Sequence, residues 1–401
     1  MNGPNKHTIE NGEIHKSDIC IIGSGMCGQI IANKLSEKKK KITIIESGKF
    51  TFDKEIQNLN NFTTTGLSLT NDPNESYKNK NVRQFGGSAN HWGNQIMFFK
   101  KNDLEDRPWI SSDLTWEITY EELKEYYQKV LDIVYKDTLS SNIDFEDDIN
   151  VKYSSFFDKE FLTENIFDFT SSYHPKSIEK FNYKSKFSGN LISSNNIKVF
   201  TEATATKLNF IESKNSLKNI EICSNQKTFR VESKIFILCA GAIENAKILL
   251  NNSKNNLQLK NELIGKYFME HPIINIGYLA LNKKIPLSNL LGIRGKKYNF
   301  RKALRFSESF QKERQILNSH LNIHPIFKND DIIFFNKILL QIKNLIKLKK
   351  FPNLYIKNFS FNKLVEQMYF APLRITNAYL NNLIRIYFEI KKHAFSFENI
   401  S

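Results

Sequence analysis

The sequence predicts an α/β fold, a parallel sheet layered between helices and interrupted by an inserted α+β region. Three stretches of the 401 residues predict it. Residues 18–46 run strand, glycine turn, helix, strand. Residues 198–239 alternate apolar and polar positions in short runs, as a meander of strands does. Residues 235–253 read buried strand, small-residue turn, helix. A strand–helix–strand order within ~30 residues is a βαβ unit with a right-handed crossover, so the first stretch commits the sheet to parallel pairing.

Taken in order, residues 1–17 are a polar leader with no basic head before an apolar stretch, hence no secretory signal and an expected cytoplasmic location. Ile19–Ile22 is a short apolar run suited to a strand buried on both faces. In the helix that follows, Cys27, Ile31 and Leu35 recur at four-residue spacing beside Met26 and Ile30, a broad apolar face. Ile42, Ile44 and Ile45 form the second strand. Residues 51–83 are polar and irregular and lead into the dense segment QFGGSANHWGNQIMFF. Residues 118–135 predict an amphipathic helix with Thr119 as N-cap and Glu122 at capping-box spacing. The expected organisation is a leader over 1–17, a core in two parts over 18–135 and 198–280, an insertion over 136–197, and a substrate domain over 281–401. That last region holds two basic amphipathic stretches. One carries Phe335, Leu339, Ile342, Leu345 and Ile346; the other runs from Asn362 toward Lys392 and is interrupted by Pro372. Such helices either pack on a core or lie on a membrane surface.

Composition sets broader bounds. Hydrophobic residues at 40% allow a packed core, and no apolar run approaches the ~20 residues that span a bilayer. The net charge of +15 comes mostly from lysines spread along the chain. With no recognition motif beside them, no nucleic-acid partner is expected. Cys20, Cys27, Cys223 and Cys239 form no C-x-x-C pair, and Cys20 and Cys239 fall in apolar strand-like runs that suit buried thiols. His320 and His324 are four apart, but no glutamate follows His320 and Pro325 ends the run. They read as a chance pair, and no metal is expected.

The segment that carries chemistry is Gly23-Ser24-Gly25-Met26-Cys27-Gly28, a G-x-G-x-x-G after a strand and opening a helix. The first glycine permits the turn, the second lets a pyrophosphate approach the backbone, and the third lets helix and strand pack closely; the helix N-terminus faces the phosphates. Glu46 ends the second strand near the ~20-residue offset of the acid that binds a ribose hydroxyl, which favours an unphosphorylated ribose. The core is therefore Rossmann-like. A second segment, Gly86-Gly87-Ser88-Ala89-Asn90-His91-Trp92-Gly93, places two glycines where a flat ring can approach the backbone.

With these two segments, LCAGAIENAKILL (238–250) and IGKYFMEHP (264–272), residues 18–280 resemble the glucose-methanol-choline oxidoreductases, nearest the branch of pyranose oxidases and sugar and polyol dehydrogenases. The resemblance implies a Rossmann-like FAD-binding domain with an inserted α+β substrate domain. It implies oxidation of a CH–OH group of an alcohol, sugar or polyol, with hydride passing to flavin N5 and then to an unknown acceptor. Gly86, Gly87, Ser88 and Asn90 would line the flavin, Ala203 or Thr204 would meet the adenine, and Ala240 and Gly241 would sit beside the dinucleotide. His91 would lie at the flavin, either bonded to it covalently or beside it without a bond; His271 would be structural. The family's His/Asn catalytic pair is not found after residue 280. That leaves three expectations: a truncated chain, a partner chain that completes it, or a divergent enzyme drawing on His320, His324 or His393. A non-catalytic flavin-binding protein is the alternative function.

Overall fold

The structure, a computed structural model, describes residues 10–61, 81–92, 96–110, 116–134, 167–175, 180–211, 216–253, 259–269, 273–280, 292–294, 298–325 and 383–390. Strand β1 (Ile14–Ile22) leads through the glycine turn into helix α1 (Met26–Ser36) and strand β2 (Ile42–Ile45). Helix α2 (Tyr120–Val134) and strand β3 (Phe167–Pro175) follow, then helix α3 (Lys186–Ile192). Strands β4 (Ile197–Phe200), β5 (Thr204–Ile211), β6 (Ser216–Ser224) and β7 (Lys227–Leu238) form the meander, and helix α4 (Ala242–Ser253) closes it. Beyond lie β8 (Ile273–Ala280), β9 (Gly292–Arg294), β10 (Tyr298–Phe306), helix α5 (Glu308–Arg314), β11 (Ser319–Pro325) and β12 (Leu383–Ile390).

The first sheet has the order β4-β2-β1-β7-β6-β5. Its β4-β2-β1-β7 half is parallel, and β6 and β5 add antiparallel strands on one edge. Period-two alternation along β1 and β2 divides the core into two layers. Ile19, Ile21, Ile42 and Ile44 pack with Ala32, Phe85 and Leu191, against Ile31 and Leu35 of α1. Cys20, Ile22 and Ile45 face the other way into a layer with Phe200, Ile220, Ile222 and Phe229, flanked by Ile248 and Leu249 of α4. Both faces of the sheet are thus covered, as a parallel sheet requires. The second sheet, β3-β10-β11-β12-β8 with β9 on β10, is antiparallel throughout. The α/β class and its parallel-dominated core are as the sequence predicts.

Four expectations need correction. Ile14–Ser17, expected in a loose leader, extend β1 because β7 runs far enough to pair them, from Ile14 with Arg230 to Ser17 with Ser233. The most deeply buried positions of α1 are Gly28, Gln29 and Ala32, whereas Cys27 is exposed. The sheet, not apolar spacing alone, selects the inner face. Strand β8, expected with the core, pairs with β12 in the second sheet. Residues 383–390, read as part of a helix, form a strand, in keeping with the β-branched and aromatic run LIRIYFEI. The amphipathic stretch over 331–350 and His271 lie outside the described residues.

The capping box at α2 forms as predicted: the Thr119 N–H and hydroxyl donate to Glu122 Oε2 at 2.9 and 2.8 Å, and the Glu122 N–H donates to Thr119 Oγ1 at 3.3 Å. All four cysteines are free thiols, and burial pushes the Cys20 thiol up to about 12. Among the described residues no helix is long and apolar enough to cross a membrane.

Candidate functional site

The glycine turn sits at the carboxyl end of β1, between β2 and β7. Gly23 holds φ at +102°, and a side chain there would run into the backbone of Cys239 and Ala240. Gly28 packs directly on the Gly23 carbonyl, so helix and turn approach closely only while residue 28 lacks a Cβ. Gly25, the N-cap of α1, has open space where a Cβ would stand, on the side where α1 presents its free N–H groups.

Behind the turn is a buried polar network. Ser24, fully buried, donates its N–H and its hydroxyl to Glu46 Oε2 at 3.1 and 2.6 Å. Glu46 Oε1 accepts the Gly48 N–H at 2.7 Å. Burial raises the Glu46 carboxyl above its ordinary range, opposed by the Ser24 and Gly48 donors and the Arg83 charge. With two bonds on Oε2 and one on Oε1, Glu46 keeps room for one further donor, enough for one ribose hydroxyl. The buried Gln29 side chain donates to the Ser24 and Phe181 carbonyls at 2.9 and 2.7 Å and accepts the Ser188 hydroxyl at 2.6 Å, tying α1 to the turn and to α3.

The second glycine segment docks on the first. Gly86, at φ +92°, donates its N–H to both Ser24 O (3.1 Å) and Ser24 Oγ (3.2 Å), and Gly25 and Gly86 form an isolated parallel bridge. Gly87 abuts the Gly25 backbone at the head of a 3₁₀ turn, Gly87–Asn90. Asn90 closes that turn, its amide donating to the Phe85 and Gly87 carbonyls at 3.0 and 3.2 Å. Ser88 Oγ accepts the Val82 N–H.

Between these pieces lies a cavity of ≈ 440 Å³, within the ~300–1,000 Å³ usual for small-molecule and cofactor sites. It opens at the carboxyl ends of parallel strands, where nucleotides bind in folds of this kind. Gly23, Gly25, Met26 and Glu46 line one part of it, and Gly87 and Ser88 another. Ala203, Thr204, Ala240 and Gly241 complete the wall. The other sequence-predicted residues stand elsewhere. Ser24 and Gly28 lie behind the wall as supports; Gly86 and Asn90 shape the 3₁₀ turn without lining the cavity. The His91 ring is exposed and stands edge-on to Phe52, centroids 6.4 Å apart.

Sequence reasoning missed Arg83, Asn60, Glu244 and Asn245, all in the cavity wall. Arg83 Nη2 meets Glu244 Oε2 at 2.7 Å, and its Nε and Nη1 donate to Asn60 Oδ1 and Ser47 Oγ at 2.7 and 2.9 Å. Asn245 Oδ1 accepts the Ala240 N–H at 3.0 Å, fixing the turn into α4. The available signal was an acid in the first turn of α4, where it favours the helix dipole, facing an arginine three residues before Gly86. His320 is buried on β11 opposite Arg305, and among the described residues no group of His, Cys, Asp and Glu could hold a metal ion.

No family model matches this chain, and no curated protein matches it by sequence. Solved structures do. Pyridoxine 4-oxidase from Mesorbium loti is 17% identical, with a TM-score of 0.38 over 59% of this chain and 51% of that one. A formate oxidase is 16% identical, with a TM-score of 0.43 over 72% and 57%. A fungal aryl-alcohol oxidase is 13% identical, with a TM-score of 0.37 over 58% and 47%. The chain spans about half the length of the solved structures it matches.

Proposed function

We propose that this chain binds FAD and belongs to an oxidoreductase acting on a CH–OH group of an alcohol, sugar or polyol. The observation that carries the reading is the meeting of two glycine segments, Gly23–Gly28 and Gly86–Gly87, on one cavity at the carboxyl ends of β1, β2 and β7. The residues fit a dinucleotide. Gly25 opens toward the phosphates, α1 supplies backbone donors and a positive dipole end, and Glu46 retains one acceptor site for a ribose hydroxyl. Gly87 and Ser88 give the ring system a wall without bulky side chains.

FAD, when bound, supplies the hydride acceptor that no side chain provides. The chain's part is to hold the dinucleotide at the turn, to exclude water with the apolar layer behind Ile22 and Leu238, and to fix the 3₁₀ turn through Asn90. A covalent link through His91 belongs to the same reading, since that residue directly follows the turn in the cavity wall.

The test is the absorption spectrum of the purified chain, before and after acid precipitation, followed by anaerobic addition of alcohols and sugars. Flavin bands that bleach with a CH–OH donor support the reading. A colourless chain that takes up no added FAD overturns it. Bands that follow the pellet, and that His91→Ala releases, support the covalent link; bands in the supernatant remove it.

A further inference from the structure

We propose that Arg83 and Glu244 form a clasp across the crevice that slows release of the bound dinucleotide, an inference that rests on the FAD reading above. In the sheet β1 lies between β2 and β7, and the glycine turn follows β1. Arg83 is anchored on the β2 side, where Nη1 donates to Ser47 just beyond β2 and Nε donates to Asn60. Glu244 belongs to the β7 side, in the first turn of α4. The 2.7 Å bridge between them therefore passes from one flank of the β1 terminus to the other, and both residues line the cavity.

Three features make this a fastener and not an incidental surface pair. The side chains are 9% and 19% exposed, so solvent screens the bridge less than it screens exposed pairs, which are worth little. The guanidinium is held by Ser47, Asn60 and the Leu59 carbonyl independently of Glu244, so its fork is pre-set for the carboxylate. Lys247 stands 3.6 Å from Glu244 Oε1, giving the carboxylate a second cation on its outer side. The bridge can thus open without leaving Glu244 unpaired, while Arg83 stays on its anchors. Neither residue belongs to a hydrophobic cluster of the core.

The experiment measures the rate at which FAD leaves the purified full chain, by recovery of flavin fluorescence after dilution into an apoprotein trap, with ADP affinity measured alongside. Glu244→Gln and Arg83→Gln are each expected to speed FAD release about tenfold or more and to weaken ADP. A clasp cannot be opened twice, so the double variant releases FAD no faster than the faster single one. Asp53→Asn, which breaks the nearby Lys49–Asp53 pair outside the cavity wall, leaves the rate unchanged. Melting curves of the unloaded chains show that the folds are intact; a variant that fails to fold is replaced by Ser47→Ala, which loosens only the Arg83 anchor and should speed release in the same direction. Release at the wild-type rate from Glu244→Gln, or effects that multiply in the double variant, overturns the clasp while leaving the FAD reading in place. A wild-type chain that binds neither FAD nor ADP overturns the FAD reading, and the clasp with it.

Discussion

Replacing Ser24 by alanine removes one oxygen from the centre of the glycine turn, and the structure fixes what is lost. The hydroxyl donates to Glu46 Oε2 at 2.6 Å and shares the Gly86 N–H with the Ser24 carbonyl. Gly86 keeps its bond to that carbonyl, and Glu46 keeps the N–H donors of Ser24 and Gly48. The net loss is one hydrogen bond to a buried carboxylate, worth about 2 kcal/mol when Glu46 is ionised and about 1 kcal/mol when it is protonated.

The pH dependence separates this account from a simple packing defect. Burial raises the folded-state pKa of Glu46 above the ordinary value of 4.5, and the Ser24 hydroxyl is the largest of the contributions that lower it. An acid whose folded pKa is raised costs stability as pH climbs from the unfolded value through the folded one. Without the hydroxyl that folded pKa rises further, so Ser24→Ala goes on losing stability above the pH at which the wild type levels off. The stability gap should therefore widen as pH rises, from about 1 kcal/mol below pH 4.5 toward about 2 kcal/mol once Glu46 is ionised in both chains. Urea denaturation of both chains across that range measures it. A gap that is constant with pH, or that widens toward acid, refutes the assignment of Glu46 as a buried, Ser24-bonded carboxylate.

Two further substitutions test neighbouring steps. Gly28→Ala drives a methyl group into the Gly23 carbonyl, so it should destabilise the chain by about 1–3 kcal/mol and displace the glycine turn; on the proposed function, FAD titration should show weakened binding out of proportion to the melting change. Thr119→Ala removes the N-cap of α2 at a site remote from the cavity, so it should cost about 1 kcal/mol in denaturant melts and leave FAD affinity unchanged.

What was legible in the sequence and what was not divide along a physical line. Gly23 and Gly28 announce themselves because their requirement is a positive φ or a backbone approach that any side chain blocks, at fixed spacing after a strand; Gly25, with open space beside it, is legible only from its place in the motif. The apolar alternation of β1 and β2 is legible for the same reason, since Ile19 and Ile21 must share a face. Ile14–Ser17 were misplaced because their pairing depends on the length of β7, more than 200 positions later in the chain. Cys27 was placed on the inner face because four-residue spacing defines a stripe without saying which side of the helix meets the sheet.

The polar side chains were hardest to place, and they decide the shape of the site. Ser24, Gln29 and Arg83 are residue types that usually face water, so nothing local marks them as buried. Each is buried because its partners arrive from distant segments: Glu46 and Gly86 for Ser24, Phe181 and Ser188 for Gln29, and Ser47, Asn60 and Glu244 for Arg83. A buried polar group without such partners costs on the order of 1–3 kcal/mol, so each network forms as a whole or the segment rearranges. The glycines at the turn keep the cavity open, and these networks hold its walls in place. Substitution of Gly25, whose side chain would enter open space, should therefore fill part of the cavity, whereas substitution of Ser24, Gln29 or Arg83 should leave it present but loosely held, with the difference read in cofactor release before it is read in affinity.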